Sequence, residues 1–561
     1  MKLKYCILKV AAVSVLLSAL STSCVPAATP ATPKPASAPT VAPPAAQTAQ
    51  PAAPVATPKP AGDGPRSGGT LIGVQYVEPP HFDLQQSQIL ATRGAAIPAY
   101  DTLLEYNPIK QDEIIPDLAE RYDVSPDGLT YTFYLNKGIK FHDGSPLTSE
   151  DIKYNIDRLR NPPTGILSPR SGLLASIDRV ETPDNDTLKV VAKFPDASVL
   201  GGLALSHHVI YPKKTVEDKG HMKQTVMGTG PFRLDKYETG VVISYVKNKD
   251  YFRKGRPYLD GITLYIMTDS ATRFAAFRTG RVMITGQGSG GLTPAQAEIA
   301  KVELKGKART IDYVTMSNVF THINTSRKPL DDARVRKVLA IVPDRPAITR
   351  VAWQGLPTSV FFVPSPHGKW EIPLDELAKI PGYRADKNLD IEDAKKLMAD
   401  AGQSQGFSVK ICVRTLSTHQ RVAEMLREQY KAVGIDLQIE MLETAVWNDR
   451  KTKENYDLLL NPYGVHDDDP NAWLDIILPQ GISFKDDQVD KLRSEQARTL
   501  DPAKRKTLVR EMEMRLLEVL PVIPSVRSGT DTMGVWENVK NYGQPIGIWN
   551  SHKYTDVWLA Q

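Results

Sequence analysis

The spacing of apolar residues predicts a series of strands and turns from residue 68 onward. GGTLIGVQYV at residues 68–77 is typical of a strand, and DTLKVVAKF and VVISYVKN have the same strand-like character. The β-rich runs ERYDV and LTYTFYL flank the turn residues SPDG, Ser125–Gly128. This arrangement predicts a β-hairpin, and the first half of the chain is the richer half in such pairs.

Helical periodicity marks a segment directly after the hairpin. Thr148 has the position of a helix N-cap, and Asp151 follows it three residues later. Ile152, Ile156 and Leu159 then recur at helical spacing. These features predict a helix that begins after Thr148.

Later segments alternate between helices and strands. LTPAQAEIA has Thr293 as a candidate N-cap and Pro294 at the first helical position. The amphipathic runs IEDAKKLMADAG and HQRVAEMLREQYKAVG end at Gly402 and Gly434, and the strand-like runs FSVKICVRT and IDLQIEML follow them. The alternation predicts an α/β unit, in which Cys412 is a small buried residue.

The N-terminus has the features of an export signal, predicted for residues 1–23. Three lysines lie within the first nine residues, and an apolar run of 11 residues follows at 10–20. That run is too short for the roughly 20 residues of a membrane-spanning helix and suits a signal-peptide core. The alternative is a buried N-terminal strand, but the basic flank and the small residues before Cys24 favour cleavage.

Acylation of Cys24 would determine whether the protein is anchored to a membrane or secreted freely. It follows small residues at the end of the signal, which resembles the lipobox of bacterial lipoproteins, where the cysteine is acylated. The sequence departs from the usual pattern, because Ser21 stands three positions before the cysteine and the expected leucine, Leu20, stands one position earlier. We predict lipidation of Cys24. Free secretion predicts instead that Cys24→Ala leaves membrane fractionation unchanged.

Residues 24–68 are predicted to form a tether. Twelve of the 43 prolines lie between Pro26 and Pro65, together with many alanines and almost no large apolar residue. Such a segment cannot bury enough surface to offset the entropy of ordering it. Its prolines make it a semi-rigid spacer of up to ~3.1 Å per residue. Behind a lipid anchor, this spacer would hold a folded domain away from a membrane surface.

Composition and charge exclude several classes of protein. The 561 residues suggest three or four folding units, and the contents of 41% hydrophobic and 24% charged residues exclude wholesale disorder, collagen and a polytopic membrane protein. The net charge of +5 falls to +2 without the three lysines of the signal, so charge does not favour nucleic-acid binding. Only Cys412 remains in the folded part, so we expect no internal disulfide and no zinc site.

The chemical motifs of the chain are weak. GQGSGG at residues 286–291 matches the G-x-G-x-x-G dinucleotide pattern, but the N-cap at Thr293 comes after the glycines, which favours a flexible loop over a nucleotide site. The acidic run His466–Asp469 has three interpretations: a cation site, a solvated turn at Asp469-Pro470, or a ligand-contacting loop. We expect no resident metal, no cofactor and no catalytic residues.

Seven segments after Gly69 resemble, in family order, the bacterial extracellular solute-binding proteins of family 5. This peptide/nickel group includes the oligopeptide- and dipeptide-binding components of ABC importers. The longest segment is PDLAERYDVSPDGLTYTFYLNKGIKFHDGSPLTSEDIKYNIDR at residues 116–158. The others are GTGPFRLDKYE, NKDYFRKGRPYLDGI, INTSRKPLDDARVRKVLAIVPDRPAI, IEDAKKLMADAG, VGIDLQIE and VLPVIPS. One short motif would be weak, whereas seven in order make the resemblance specific.

The resemblance implies an α/β fold of the type II periplasmic-binding class (cluster C), with two lobes, an inserted extra domain, a hinge and a central cleft. It places lobe I at residues 69–103, 228–324 and 525–561. The inserted domain II would span 104–227 and contain the SPDG hairpin, and lobe III would span 325–524.

The implied function is that of a receptor and not of an enzyme. The protein would capture a peptide or peptide-like solute and, on lobe closure, deliver it to the permease subunits of an ABC importer. With the N-terminal features, this predicts a monomer that is extracytoplasmic and either lipid-anchored to the cell membrane or periplasmic. The alternatives are a non-peptide ligand (a sugar, an opine or a nickel chelate) and a signalling or chaperone role.

The resemblance also suggests how a ligand's amino group is bound. In peptide-binding members, an aspartate in the loop that matches Tyr463 to Trp473 pairs with the α-amino group. Alignment on Asp469 places His466 at that position, and a shift of one residue places Asp467 there. A positively charged His466 would repel an ammonium group, which argues against a peptide ligand.

Four more residues are candidates for ligand contact or for structural roles. Arg414 falls near a basic residue that meets the ligand carboxylate in dipeptide binders, and a guanidinium suits that role. The alternative for Arg414 is a surface charge. Trp447, Tyr463 and Trp473 are predicted either to stack on a ligand or to pack in the core.

Overall fold

A computed structural model describes residues 64–87, 90–110, 113–286, 290–314, 317–353, 361–363, 369–465, 469–478, 484–527, 530–543 and 553–560. The predicted signal peptide, Cys24 and the tether up to residue 63 lie outside the described residues. None of the helices within the described ranges is long and apolar enough to cross a membrane.

In chain order, the strands are β1 Thr70–Gln75, β2 Leu104–Tyr106, β3 Ile114–Pro116, β4 Ala119–Val124, β5 Thr130–Leu135, β6 Ile177–Asp184, β7 Thr187–Ala192, β8 Phe232–Glu238, β9 Val242–Lys247, β10 Gly261–Ile266, β11 Ala308–Val314, β12 Ser317–Ile323, β13 Phe407–Arg414, β14 Ile435–Leu442, β15 Leu458–Gly464, β16 Val522–Arg527, β17 Thr530–Trp536, β18 Val539–Lys540 and β19 Trp558–Leu559.

The α-helices, also in chain order, are α1 Leu90–Ala96, α2 Ser149–Arg160, α3 Val199–Ala204, α4 Lys213–Lys219, α5 Ser270–Arg278, α6 Pro294–Glu303, α7 Ala333–Ile341, α8 Arg345–Trp353, α9 Leu374–Leu377, α10 Lys387–Asp400, α11 Ser417–Tyr430, α12 Thr444–Thr452, α13 Pro470–Ile477, α14 Asp487–Arg498 and α15 Pro502–Val519.

The local predictions that rest on turn and cap residues are confirmed. β4 and β5 pair as an antiparallel hairpin around SPDG. The Asp151 carboxylate accepts a hydrogen bond from the backbone N–H of Thr148 at 3.0 Å, which completes the cap of α2. Thr293 caps α6, and Pro294 is its first residue. These signals are local in the chain, so the sequence is sufficient to place them.

The inserted domain is built on the antiparallel sheet β4-β5-β7-β6. Phe133 of β5 and Leu188 of β7 are fully buried against Ile152 of α2. The pairing of neighbouring strands in sequence gives this domain its own core, as the hairpin-rich pattern indicates.

Lobe I is built on the sheet β1-β10-β9-β8, in which β1 and β10 run parallel. Its core also contains Val209, Tyr211 and Met222, which pack with Leu71 and Phe232. The chain therefore already contributes to the lobe I core some 20 residues before residue 227, where the inserted domain was predicted to end. Packing across a large sequence separation determines this, and the motif order does not reveal it.

Lobe III is built on a five-stranded sheet of order β14-β13-β15-β12-β16. β12 and the last residues of β16 pair within this sheet, although the predicted boundaries at 324/325 and 524/525 assign them to lobe I. β11, which precedes β12, and β17, which follows β16, pair with each other outside the lobe III sheet. We call the two connections, β11 to β12 and β16 to β17, the crossings.

The carboxyl ends of several strands meet at the edge of the lobe III sheet that adjoins the crossings. β13, β14 and β15 are parallel and end at Arg414, Leu442 and Gly464. β12 begins, and β16 ends, at the same edge, since Ser317 lies opposite Gly464 and Asn318 opposite Arg527. In open α/β sheets, ligands bind in the crevice outside the carboxyl ends of the strands.

Candidate ligand-binding site

One face of the lobe III sheet carries a group of polar side chains near this edge. Cys412 of β13 lies beside Leu459 of β15, and side chains two residues apart on a strand share a face. Arg414, Asn461 and Tyr463 therefore lie on the face of Cys412 and Leu459. The partners of β15 on β12 add Asn318 and His322 to this face. His322 Nε2 is 3.0 Å from Asn461 Nδ2, its diagonal neighbour on this face.

Helix α12 covers part of this face. Trp447 packs against Cys412, Leu442 and Leu459 and is almost fully buried. The Arg414 guanidinium carbon lies 5.4 Å from the centroid of the Trp447 ring, and Lys451 Nζ lies 5.5 Å from that centroid.

Lys451 Nζ is also 5.6 Å from the centroid of the Tyr463 ring, which is partly exposed. The structure thus brings together three residues predicted from the sequence, Arg414, Trp447 and Tyr463. It adds Lys451, which the sequence reasoning missed. We refer to Arg414, Lys451, Trp447 and Tyr463 as the basic-aromatic cluster.

The basic-aromatic cluster contains two cations, Arg414 and Lys451. Among the described residues, no carboxylate forms an ion pair with Arg414 or Lys451. Burial lowers the pKa of both groups, and the charge of Arg414 lowers that of Lys451 further. A carboxylate or another anion placed between them would relieve the repulsion and accept charge-assisted hydrogen bonds.

Two neighbouring histidines are neutral at pH 7. Burial, together with the charge of Arg414, lowers the pKa of His419 to about 4. Burial and the charge of Lys451 lower the pKa of His322 to about 3. The positive charge of this surface therefore comes from Arg414 and Lys451 and not from these histidines.

Two buried polar groups here have no hydrogen-bond partner within the described part of the chain. Both side-chain amide atoms of Asn318 lack a partner although the residue is fully buried, and so does Nε1 of Trp447. An unsatisfied buried group costs about 1–3 kcal/mol. A bound solute could supply these missing hydrogen bonds.

Two arginines from other parts of the molecule interact electrostatically with this region: Arg170 with Tyr463, and Arg93 with Arg170. Arg170 of the inserted domain donates a hydrogen bond to the Ser87 carbonyl at 2.5 Å. Burial lowers its pKa to about 10, against the opposing effect of the nearby Tyr463 hydroxyl. Arg93 of α1 is also buried, and burial together with the charge of Arg170 lowers its pKa to about 9. Tyr463 of the basic-aromatic cluster is thus close to an arginine of the inserted domain.

Two cavities lie on the lobe I side. One of about 40 Å³ is bounded by Tyr76, Arg93 and Tyr542. The other, of about 450 Å³, is lined by Tyr100, Glu105 and other residues at the junction with the inserted domain. Tyr554 borders both cavities. The larger cavity adjoins a buried ion-pair network, and no residue of the basic-aromatic cluster lines either of these two cavities.

The remaining predicted site residues lie elsewhere or outside the described ranges. Trp473 of α13 is fully buried, and its ring packs edge-on against Phe320 with centroids 6.0 Å apart. His466 and Asp467 lie outside the described residues. Asp469 does not form the predicted solvated turn with Pro470: it caps α13 and makes a bidentate ion pair with Arg505 at 2.6 and 2.8 Å.

The glycine-rich segment lacks the context of a dinucleotide site. Its residues 287–289 lie outside the described ranges, and Gly286 donates a hydrogen bond to the Gly290 carbonyl at 3.1 Å. The strand after α6 is β11, and its partner β17 is antiparallel, whereas the dinucleotide motif requires parallel strands. The GQGSGG motif is therefore interpreted as a loop and not as a nucleotide site.

Lys451 and Asn318 were not predicted as site residues, and the sequence contains only indirect signals for them. Lys451 lies four residues after Trp447, which puts both side chains on one face of α12. Asn318 lies in a strand whose register only the sheet defines. Neither residue belongs to a segment that carries the family resemblance.

A two-lobed α/β fold with a half-buried basic cluster at the carboxyl ends of its strands is typical of a receptor for a solute. Comparison with known proteins agrees. The family described as bacterial extracellular solute-binding proteins, family 5 Middle, matches residues 113–484. The chain belongs to this family, whose members are extracytoplasmic binding proteins of ABC transporters and are not enzymes.

Relatives within this group bind different compounds. The heme-binding protein A of Haemophilus influenzae is 27% identical over 467 residues, which cover 76% of this chain and 81% of the relative. The dipeptide-binding protein of Escherichia coli is 27% identical over 433 residues, which cover 72% of this chain and 77% of the relative.

A solved structure shows the same fold. The binding protein AgaA of A. tumefaciens R10, in complex with agropinic acid, has 25% sequence identity and a TM-score of 0.70. The match covers 88% of this chain and 99% of AgaA. The predicted two-lobed type II periplasmic-binding fold is confirmed.

Proposed function

We propose that this protein is the substrate-binding lipoprotein of an ABC importer that captures a peptide or peptide-like solute with a free carboxylate and delivers it to a membrane permease. The observation that carries this proposal is the pair Arg414 and Lys451, two half-buried cations without a carboxylate partner in the described structure. Burying unpaired charge costs free energy, which an anionic ligand would return.

The names of the relatives support an acidic ligand without fixing its identity. A dipeptide, heme and agropinic acid differ in size and shape, but each carries at least one carboxylate. An opine-like acid is therefore the second candidate, because it would satisfy the same two cations. A neutral sugar would leave them unpaired.

Lobe closure explains how binding would lead to delivery. The two crossings connect lobe I to lobe III, and the basic-aromatic cluster lies at the edge of the lobe III sheet where β12 begins and β16 ends. A solute that contacts both Arg414 on lobe III and groups on lobe I binds the closed state better than the open one, and this difference shifts the equilibrium. The permease would then recognise the closed form.

The N-terminal segment supports the membrane part of the proposal. Acylation of Cys24 would anchor the chain, and the proline-rich residues 25–68 would act as a spacer between membrane and receptor. A monomer held in this way remains close to its permease.

A thermal-shift panel tests the ligand class. We expect di- to pentapeptides with a free C-terminus to raise the melting temperature, whereas the same peptides as C-terminal amides do not, because they lack the anion for Arg414 and Lys451. A ligand at 100 times its Kd stabilises by about 2.7 kcal/mol. Opines, neutral sugars and nickel chelates complete the panel. If a sugar or a nickel chelate shifts the melting temperature and no carboxylate-bearing compound does, the proposal is wrong.

A further inference from the structure

The larger cavity, of about 450 Å³, lies where lobe I, the inserted domain and the C-terminal segment meet. We call it the junction cavity. Its volume is in the range of small-molecule pockets, which combine apolar and aromatic walls with a few charged groups. The apolar and aromatic part of its wall includes Ile97, Tyr100, Tyr106, Ile115, Tyr554 and Val557. A ligand in this cavity would bind apart from the basic-aromatic cluster, whose residues do not line it.

The charged part of the wall belongs to a buried ion-pair network. Glu105, Lys553 and Arg253 line the cavity. Lys553 Nζ lies 2.8 Å from Glu105, 2.8 Å from Asp101 and 2.6 Å from Asp117. Arg253 lies 2.8 Å from Glu105 and 2.7 Å from Asp117. Within the ranges that the structure describes, three carboxylates therefore share two cations.

Glu105 is the carboxylate of this network that a ligand can reach. The side chains of Asp101 and Asp117 are fully buried, whereas that of Glu105 is 14% exposed and lines the cavity. Arg256 also lines the cavity, but its charge is paired with that of Asp556. The excess negative charge of the network is therefore accessible from the cavity at Glu105.

The C-terminal part of the wall is held in an unfavourable conformation. Asn541 and Tyr554 have φ angles of 54° and 63°, in the left-handed region that a tyrosine rarely adopts. Backbone strain of this kind is concentrated at ligand-binding and active sites. The hydroxyl of Thr555, which is buried in the same wall, has no hydrogen-bond partner among the described residues. A bound molecule could supply that partner.

We propose that the junction cavity is a second binding site, for a small primary amine with an apolar or aromatic body, whose ammonium group pairs with Glu105. The ammonium ion is the third cation that the network lacks, and it donates charge-assisted hydrogen bonds to a carboxylate. Tyr100, Tyr106 and Tyr554 suit such a ligand, because aromatic rings both contact apolar groups and attract cations. An anionic ligand would instead add a fourth negative charge. The site goes beyond the proposed peptide receptor and does not depend on it.

Binding of the amine should become tighter as pH rises through 7. Burial and repulsion from Glu105 raise the pKa of Asp117 to about 7. While Asp117 keeps its proton, two carboxylates face two cations, and an added ammonium ion must displace that proton. The two cations of the network stay charged in this range. Burial lowers the pKa of His142, which lies near Asp101, and raises that of Tyr251, so neither gains charge above pH 6.5.

Calorimetry with phenethylamine and 2-phenylethanol, which have the same shape, tests the site. We expect the wild type to bind the amine with a Kd below about 1 mM and the alcohol at least about tenfold more weakly. The amine should bind about fourfold more tightly at pH 8 than at pH 6.5. Glu105→Gln should weaken amine binding by about tenfold and leave alcohol binding unchanged. Glu120→Gln, a control at an exposed position of the inserted domain, should behave like the wild type.

The comparison of amine and alcohol on the wild type needs no variant to fold, and the melting temperature shows whether Glu105→Gln does. The inference is overturned if the wild type binds the alcohol as tightly as the amine, or binds neither. It is also overturned if folded Glu105→Gln binds the amine like the wild type, or if the affinity does not change with pH. A peptide that displaces phenethylamine would place the amine in the peptide site, which contradicts a separate one.

Discussion

Replacement of Arg414 by alanine should weaken binding of a carboxylate-bearing ligand by about 10- to 100-fold, since a charge-assisted hydrogen bond contributes about 1.5–3 kcal/mol. The unliganded protein should keep its stability within about 1 kcal/mol. Arg414 has no ion pair to lose in the described structure, and its removal relieves the repulsion of Lys451. Calorimetric titration with the best peptide of the panel, together with the melting temperature, measures both effects.

Lys451→Met should also weaken binding of a carboxylate-bearing ligand. Two matched variants serve as controls. Lys453→Met changes an exposed lysine of the same segment that pairs with Asp449, and Arg427→Ala changes an exposed arginine of α11. Both controls should bind like the wild type. If Arg414→Ala leaves affinity unchanged, or if it lowers stability as much as affinity, then Arg414 is a structural residue and the assignment of the anion site fails.

Replacement of Lys553 by methionine should lower the free energy of unfolding by about 3–5 kcal/mol. Lys553 Nζ lies 2.8 Å from Asp101, 2.8 Å from Glu105 and 2.6 Å from Asp117; Asp101 and Asp117 are fully buried, and Glu105 is largely so. Arg253 also pairs with Glu105 and Asp117. Without Lys553, three carboxylates would share one guanidinium. Urea unfolding followed by circular dichroism measures the loss.

The loss should depend on pH in a defined direction. Burial, reinforced by repulsion from Glu105, raises the pKa of Asp117 to about 7. Its ionisation therefore costs stability as pH rises from about 4 to 7, and removal of Lys553 raises that pKa further. The deficit of Lys553→Met should be larger at pH 8 than at pH 5. Lys540→Met, an exposed lysine, should change stability by less than about 0.5 kcal/mol at either pH. If Lys553→Met also lowered the free energy of unfolding by less than about 0.5 kcal/mol, the ion-pair network around Lys553 would be contradicted.

The ion-pair network around Lys553 also connects different parts of the receptor to each other. Asp101 and Asp117 lie at the junction of lobe I and the inserted domain, and Lys553 reaches them from the C-terminal segment. These contacts fix the C-terminal segment to two positions that precede it by more than 400 residues in the sequence. Such a junction would make lobe I and the inserted domain move together when lobe III closes on a ligand.

Elements with local signals could be predicted from the sequence. The SPDG turn, the cap at Thr148 and the glycines after α10 and α11 each act within a few residues, and the structure has the corresponding hairpin and helices. One of the three interpretations of His466–Asp469, the solvated turn at Asp469-Pro470, was wrong although a local signal existed: proline at the first helical position after an aspartate N-cap is typical of a helix start.

Features that depend on long-range pairing could not be predicted in this way. Nothing within β12 or β16 indicates that both join the lobe III sheet, because β12 pairs with β15 and β16 pairs with β12, and each pair joins strands that lie more than 100 residues apart in the chain. For the same reason Asn318 and Lys451 were missed. Trp447 was given two interpretations, core or ligand contact, and it packs in a core cluster while Arg414 lies over its ring.

The most direct test of the account is the identity of the solute that the protein carries. The protein would be isolated from cells grown in a peptide-rich medium and denatured, and the released compounds would be quantified by mass spectrometry against an Arg414→Ala sample prepared in parallel. We expect about one equivalent of a peptide or peptide-like zwitterion from the wild type and far less from the variant. A neutral sugar, or a metal chelate without a free carboxylate, at one equivalent in both samples would contradict the account.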